Sequence, residues 1–201
     1  MIKILIADDQ QLVREALGAL LSLQPDLELV GTCGRGDEVL PLLQQTLPDV
    51  ALLDIEMPGM SGIEVAAQLK ERKVPCRSLI VTTFGRPGYL ARALEAGASG
   101  FVVKDTPAAQ LAETIRKVHA GLRVVDPALA AESFSVGSSP LSDRERQVLA
   151  GAEQGASVAV IAQNLHLSQG TVRNHLSSAI TKLEACNRFD AAHIARERGW
   201  L

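Results

Sequence analysis

The 201-residue sequence predicts an α/β fold, a five-stranded doubly wound parallel sheet, followed by a separate all-α domain. Three observations carry this. Up to about residue 120, five short apolar runs alternate with longer stretches of helical spacing, the pattern of repeated βα units. After residue 140 only helical spacing remains. Between the two, residues 122–139 lose periodicity and end in Ser135-Val136-Gly137-Ser138-Ser139-Pro140, a composition suited to a flexible boundary. The expected organisation is therefore 1–120, a linker at 121–139, and 140–201.

The runs Lys3–Ala7, Leu27–Thr32, Val50–Leu53, Ser78–Thr82 and Gly100–Val103 have the length and continuous apolar character of buried parallel strands. The first helix is expected over Gln10–Leu23, with Leu12, Val13, Ala16, Leu17, Leu20 and Leu21 on one face. The fifth opens at Thr106-Pro107, a cap followed by a first-turn proline, and sets Leu111, Ile115 and Val118 together before Gly121 stops it. In the second part Ser142-Asp143-Arg144-Glu145 is a capping box that starts a helix with Val148, Leu149 and Ala152 inward. A short helix follows over Ser157–Leu165, then a tight turn at His166-Leu167. A longer helix capped by Ser168 comes next, and a last one covers Arg188–Arg196.

Composition narrows the function classes. Apolar residues make up 47%, enough for a sizeable core, and the net charge of −3 implies no partner by itself. Residues 140–201 carry 7 Lys/Arg against 6 Asp/Glu, too mild an imbalance to argue for nucleic acid on charge alone. Cys33, Cys76 and Cys186 form no CxxC or Cys/His spacing, so buried inert thiols are expected rather than a disulfide framework or zinc site. No signal segment precedes the first strand, and no apolar run approaches the ~18 residues of a membrane span. The expectation is a soluble, cytoplasmic protein with no membrane partner.

The chemistry lies at the strand ends. Asp8-Asp9 ends the first apolar run, Asp54 the third, Thr82 the fourth and Lys104 the fifth. In a doubly wound sheet those carboxyl ends meet in one crevice. Three clustered carboxylates repel unless a cation joins them, and their oxygens suit Mg²⁺. Beside such an ion, Asp54 can act as a nucleophile toward phosphorus, with Lys104 and the Thr82 hydroxyl to hold phosphoryl oxygens. Gly31-Thr-Cys-Gly34-Arg-Gly36 has the wrong glycine order for a dinucleotide site. An aspartate-nucleophile phosphatase typically has a second Asp two positions after the nucleophile, where this chain has Glu56.

With these residues in this order, residues 1–120 resemble the receiver domain of two-component response regulators, which has a flavodoxin-like fold. The resemblance rests on the acidic pair, LLDIEMPGMSG, VTT and FVVKD. It implies that Asp54 is the phosphoacceptor, served by a sensor histidine kinase. It further implies that Asp9, Asp54 and the Glu56 backbone carbonyl hold Mg²⁺ with help from Asp8. Thr82 and Phe101 would be the switch hydroxyl and switch aromatic. Lys104-Asp105 departs from the Lys-Pro common elsewhere in that superfamily.

In Ser168–Leu183, Val172, Leu176, Ile180 and Leu183 recur as an inward stripe. Thr171, Arg173, Asn174, Ser177, Ser178 and Thr181 lie opposite. Side chains of that size and chemistry suit a major groove, where Arg and Asn match guanine and adenine edges. LSDRERQVLAGAEQG, IAQNLHLSQGTVRNHLSSAITKL and NRFDAA are similar to the LuxR-type helix-turn-helix domain of the NarL/FixJ branch. That resemblance implies base contacts from Arg173, Asn174 and Ser177, with Thr171, His175 and Ser178 nearer the phosphates. Val160 and Gln147 stand where that family usually has Glu, and His166 occupies a tight turn where Gly or Asn would be easier. A finer resemblance, in TTFGRPGYL, ADDQQ and GTVRN, is to regulators of membrane-lipid desaturation in Gram-positive bacteria.

The expected function is a transcriptional response regulator, not an enzyme, that accepts a phosphoryl group and at most hydrolyses it slowly. With few cations, one copy can neutralise few phosphates of promoter DNA. Two copies on paired half-sites gain through effective concentration, so a homodimer on phosphorylation is expected. The first and fifth helices are the expected pairing surface, with Ala16, Ala108 and Ala112 allowing close approach. Two other readings remain: a constitutive or ligand-gated factor with a vestigial receiver, and a metal-dependent phosphohydrolase.

Overall fold

A computed structural model describes residues 1–83, 87–126, 129–130 and 139–201, which fall into two compact units. The finer resemblance at TTFGRPGYL runs through residues 84–86, which lie outside the described residues.

The first unit alternates β1 (Ile2–Ala7), α1 (Gln11–Ser22), β2 (Leu27–Cys33), a single 3₁₀ turn (Gly36–Glu38) leading into α2 (Val39–Thr46), β3 (Val50–Leu53), α3 (Gly62–Glu71), β4 (Arg77–Thr82), α4 (Pro87–Glu95), β5 (Gly100–Val103), α5 (Ala108–His119) and β6 (Val124–Val125). The strands form one parallel sheet in the order β2-β1-β3-β4-β5-β6. The expectation of five strands is thus corrected to six. Val124 and Val125 fall within the expected linker because a two-residue strand has no readable period; pairing with Gly100 and Phe101 makes them the sheet's edge. Strand order reverses at β1, so β1 and β3 flank a switch point whose carboxyl ends open a crevice.

The sheet is buried on both faces, with Ile4, Ile6, Leu52 and Leu79 against Leu111, Ile115 and Val118 of α5. α1 differs from the expected packing. Gly18 and Leu21 are its buried residues, while Leu12, Ala16, Leu20 and Leu23 are exposed. Twelve residues carry two apolar stripes, and the helix can turn only one inward. At α5 the cap is Pro107 rather than Thr106, and it makes no side-chain capping bond. Arg116 fastens α5 to the loop before β2, donating to both Asp26 oxygens at 2.7 and 2.8 Å and to Gln24 at 3.1 Å. Those bonds hold the Asp26 carboxyl down at about 2.

Among the described residues the second unit holds four helices: α6 (Asp143–Glu153), α7 (Val158–Asn164), α8 (Gln169–Lys182) and α9 (Arg188–Glu197). Each begins on a polar cap, Ser142, Ser157, Ser168 or Asn187, whose side chain accepts from first-turn amides. Val148, Leu149, Ile161, Val172, Leu176, Ala192 and Trp200 close the core. His166, between α7 and α8, has φ 54, the left-handed conformation its turn requires. Burial lifts the Cys33 and Cys76 thiols to about 11 and 12, while Cys186 is exposed between α8 and α9.

Candidate functional site

The strand ends deliver their polar residues to one place because each strand stops where its backbone bonds stop. Asp54 follows β3, tied by its amide to the Ala7 carbonyl at 2.9 Å, and Lys104 follows β5, its amide on the Thr82 carbonyl at 2.7 Å. Asp8 follows β1 and caps the next turn, accepting from the Gln10 amide at 3.0 Å. Asp8 and Asp54 are buried and Asp9 is exposed, yet one oxygen of each lies within 4.8 Å of the others.

Lys104 bridges the two buried carboxylates, with Nζ 2.7 Å from Asp8 Oδ2 and 3.0 Å from Asp54 Oδ2. The other Asp54 oxygen accepts from the Ile55 amide at 2.8 Å. Burial pushes the Asp54 carboxyl up, the Lys104 charge and hydrogen bond pull it part of the way back, and it settles at about 6. For Lys104, burial opposes the charge, but the bond it donates to Asp8 and the charge of Asp54 raise its pKa overall. A carboxylate trio with oxygen ligands only is the donor set of a hard divalent cation, and a cation would offset the repulsion that one ammonium shares among three anions. The residues present therefore fit Mg²⁺.

Thr82 is buried at the end of β4, opposite Val103; Phe101 is fully buried two residues earlier on β5, beside Ile80. Glu56 is exposed on the turn after Asp54. Arg14, on α1, donates to the Asp8 carbonyl and so braces the pocket's floor. Sequence reasoning missed it, since an arginine one turn into a helix carries no signal of where its long side chain ends.

On α8, Arg173, Asn174 and Ser177 are exposed, and Thr171 and His175 half-buried. Asn174, Ser177, Ser178, Thr181 and Lys182 line a shallow depression of about 410 Å³. Ser178 is half-buried and its hydroxyl donates to Glu145 at 2.6 Å; Thr171 shares a 2.8 Å bond with the Ser168 cap. Lys182 also donates to Glu145, at 2.7 Å. Burial alone would raise the Glu145 carboxyl, but Lys182, Ser178 and the Ser142 amide hold it down at about 2. The sequence shows Glu145 only as half of a capping box; the structure makes it the tie between α6 and α8. Gln169, in the first turn of α8, accepts from the exposed Arg173 at 3.4 Å.

A parallel sheet with an acidic switch-point pocket, followed by a helix-turn-helix unit, defines a class, and the comparisons identify it. Residues 4–116 match the response regulator receiver domain and residues 139–195 match bacterial regulatory proteins of the luxR family; the chain belongs to the two-component response regulators with a LuxR-type DNA-binding domain. Over all 201 residues, and all of the relative, it is 44% identical to the transcriptional regulatory protein DesR of Bacillus subtilis strain 168. It is 34% identical to the DNA-binding transcriptional activator DevR/DosR of Mycobacterium tuberculosis strain H37Rv, covering 98% of this chain and 95% of that one. Among solved structures, the response regulator ChrA of a heme-sensing two-component system matches 100% of this chain and 98% of its own, at a TM-score of 0.60 and 30% identity.

Proposed function

We propose that this response regulator is switched by phosphorylation of Asp54, with a sensor histidine kinase as donor, and that the phosphorylated form pairs and binds promoter DNA in the cytoplasm. The observation that carries the reading is the convergence of Asp8, Asp9, Asp54 and Lys104 at the sheet's switch point. An Asp54 oxygen bonds to phosphorus as the phosphorus–donor bond breaks, and the Lys104 ammonium follows the phosphoryl oxygens. Asp9, Asp54 and the Glu56 carbonyl would hold Mg²⁺, with Asp8 assisting; when bound, the ion neutralises charge on the transferring group. Thr82 turns its hydroxyl toward the new phosphoryl oxygens, and Phe101 follows as the second half of the switch. The chain is a phosphoacceptor rather than a turnover enzyme.

The exposed stripe Leu12, Ala16, Leu20 and Leu23 on α1 supports α1 as part of the pairing surface. Ala112, on the inward face of α5, is fully buried and cannot belong to that surface. In the paired form two copies of α8 present Arg173, Asn174 and Ser177 to base edges and Thr171 and His175 to phosphates. Ser178 acts through Glu145 instead. No helix among the described residues is long and apolar enough to cross a membrane.

The test compares wild type with Asp54→Ala, each incubated with Mg²⁺ and acetyl phosphate, by intact mass and by light scattering. Gain of one phosphoryl group together with a doubled particle mass, both absent in the variant, is the expected result. A wild type that pairs and binds DNA identically without label would overturn the switch.

A further inference from the structure

The turn from Asp54 to α3 carries Glu56 and is gripped by residues outside the acidic set. The buried Gly36 donates its amide to the Pro58 carbonyl at 3.1 Å. A Cβ on Gly36 would overlap the carbonyl oxygen of Met60, a backbone atom with no free rotation to escape. One residue on, the Asp37 carboxylate lies over Gly59, whose φ of +82 and lack of a side chain bring that carboxylate to 2.6 Å from where a Cβ would stand. Asp37 itself accepts from Arg35 Nε and Nη2, at 3.0 and 2.9 Å. Residues 58–60 are thus seated on the 3₁₀ turn by one backbone hydrogen bond and two close contacts at glycines, two to four residues beyond Glu56.

We propose that Gly36 is a positioning residue for the divalent cation. By seating residues 58–60 it fixes where the Glu56 carbonyl stands relative to Asp9 and Asp54, and so sets both the affinity of the pocket and its preference among ions. This rests on the reading of those three groups as cation ligands. The physical reason is the unequal tolerance of hard cations. Mg²⁺ demands near-ideal octahedral geometry at about 2.0–2.1 Å, whereas Ca²⁺ accepts looser and longer contacts. A methyl group on Gly36 must lift the 58–60 turn, carrying the Glu56 carbonyl with it. The damage therefore falls on Mg²⁺ more than on Ca²⁺. A residue that matters only for stability has no cause to distinguish the two ions.

The experiment titrates the full chain with MgCl₂ and separately with CaCl₂, without phosphodonor, and follows the Asp54 and Ile55 amide resonances. Wild type is compared with Gly36→Ala and with Gly31→Ala, whose added methyl would meet only the movable Leu42 side chain. Gly36→Ala is expected to weaken Mg²⁺ by about ten-fold, the scale of a displaced outer support, and Ca²⁺ by under about three-fold. Gly31→Ala should change neither. Equal losses of both ions, or Mg²⁺ affinity in Gly36→Ala matching wild type, would overturn the proposal. A wild type that binds neither ion would instead sink the cation reading on which it rests. If Gly36→Ala fails to fold, Asp37→Ala, at an exposed position of the same contact, should show the same bias toward Mg²⁺ loss with a smaller amplitude; no bias there overturns the proposal.

Discussion

The acidic pocket and the outer face of α8 are both short sets of polar side chains, but they are built in opposite ways. Asp8, Asp54 and Lys104 come from three strand ends, and their side chains are more than nine-tenths buried in mutual contact. Arg173, Asn174 and Ser177 come from one helix and stand in solvent. Buried charges are coupled through a low-dielectric medium, so removing one member changes the others. Exposed groups on a helix act nearly independently, so their effects should be smaller and close to additive. The two regions also have opposite proton linkage: burial raises the Asp54 carboxyl to about 6, while its partners hold Glu145, behind α8, at about 2.

The largest expected effect breaks the coupled set. Lys104→Ala should slow labelling by acetyl phosphate on the order of 10²-fold, the scale of losing one donor to a developing anion. A mass-spectrometric time course at wild-type speed would mean that the ammonium is only a structural counterion. Next is Glu145→Ala, which strands Lys182 and Ser178. Because Lys182 is partly exposed, the loss should be about 2 kcal/mol rather than the full cost of breaking a buried pair. Denaturant unfolding followed at Trp200, the one tryptophan, reads that unit alone.

Proton linkage sharpens the contrast. Glu145 titrates near 4.5 when unfolded and about 2 when folded, so its stabilisation is complete above pH 4.5 and is lost as pH falls toward 2. Glu145→Gln should remove that acid limb. Asp54 has the reverse sign. Its folded pKa of about 6 lies above the ordinary 3.8, so the folded state holds the proton and stability declines as pH rises between them. Asp54→Asn should stabilise the receiver above pH 6 in the absence of divalent cation, as seen by thermal unfolding; a destabilised variant would show that the Lys104 bridge outweighs desolvation.

A smaller effect is expected on the exposed face. Arg173→Ala should cost about 1–2 kcal/mol of DNA binding at the base it reads and relax specificity there, measured on a panel of single-base site variants. A uniform loss across the panel would reassign Arg173 to the phosphates. Smallest of all, Ser178→Ala should lower stability by about 1 kcal/mol and leave DNA affinity unchanged, since its hydroxyl is spent on Glu145.

Legibility followed the same division. The parallel sheet, the strand-end carboxylates and the caps at Ser142 and Ser168 could be read because each follows from local period or from a short-range rule. What escaped depends on tertiary context. α1 offered two apolar stripes, and only its neighbours decide that Leu21 turns in and Leu12 out. β6 is two residues long and exists because β5 presents an edge. Arg14, Lys182 and the reach of Glu145 are long side chains whose endpoints no spacing reveals.

The sulfur atoms divide along a different line. Cys33 and Cys76 are buried with thiols held near 11 and 12, so at neutral pH they stay protonated and poorly reactive toward electrophiles. Cys186, exposed just beyond α8, is the remaining thiol. Without any engineering, the natural chain therefore offers a single accessible attachment point, and it lies beside the helix proposed to read DNA. A dye or spin label placed there would report the arrival of DNA and the approach of a second copy while leaving the acidic pocket untouched.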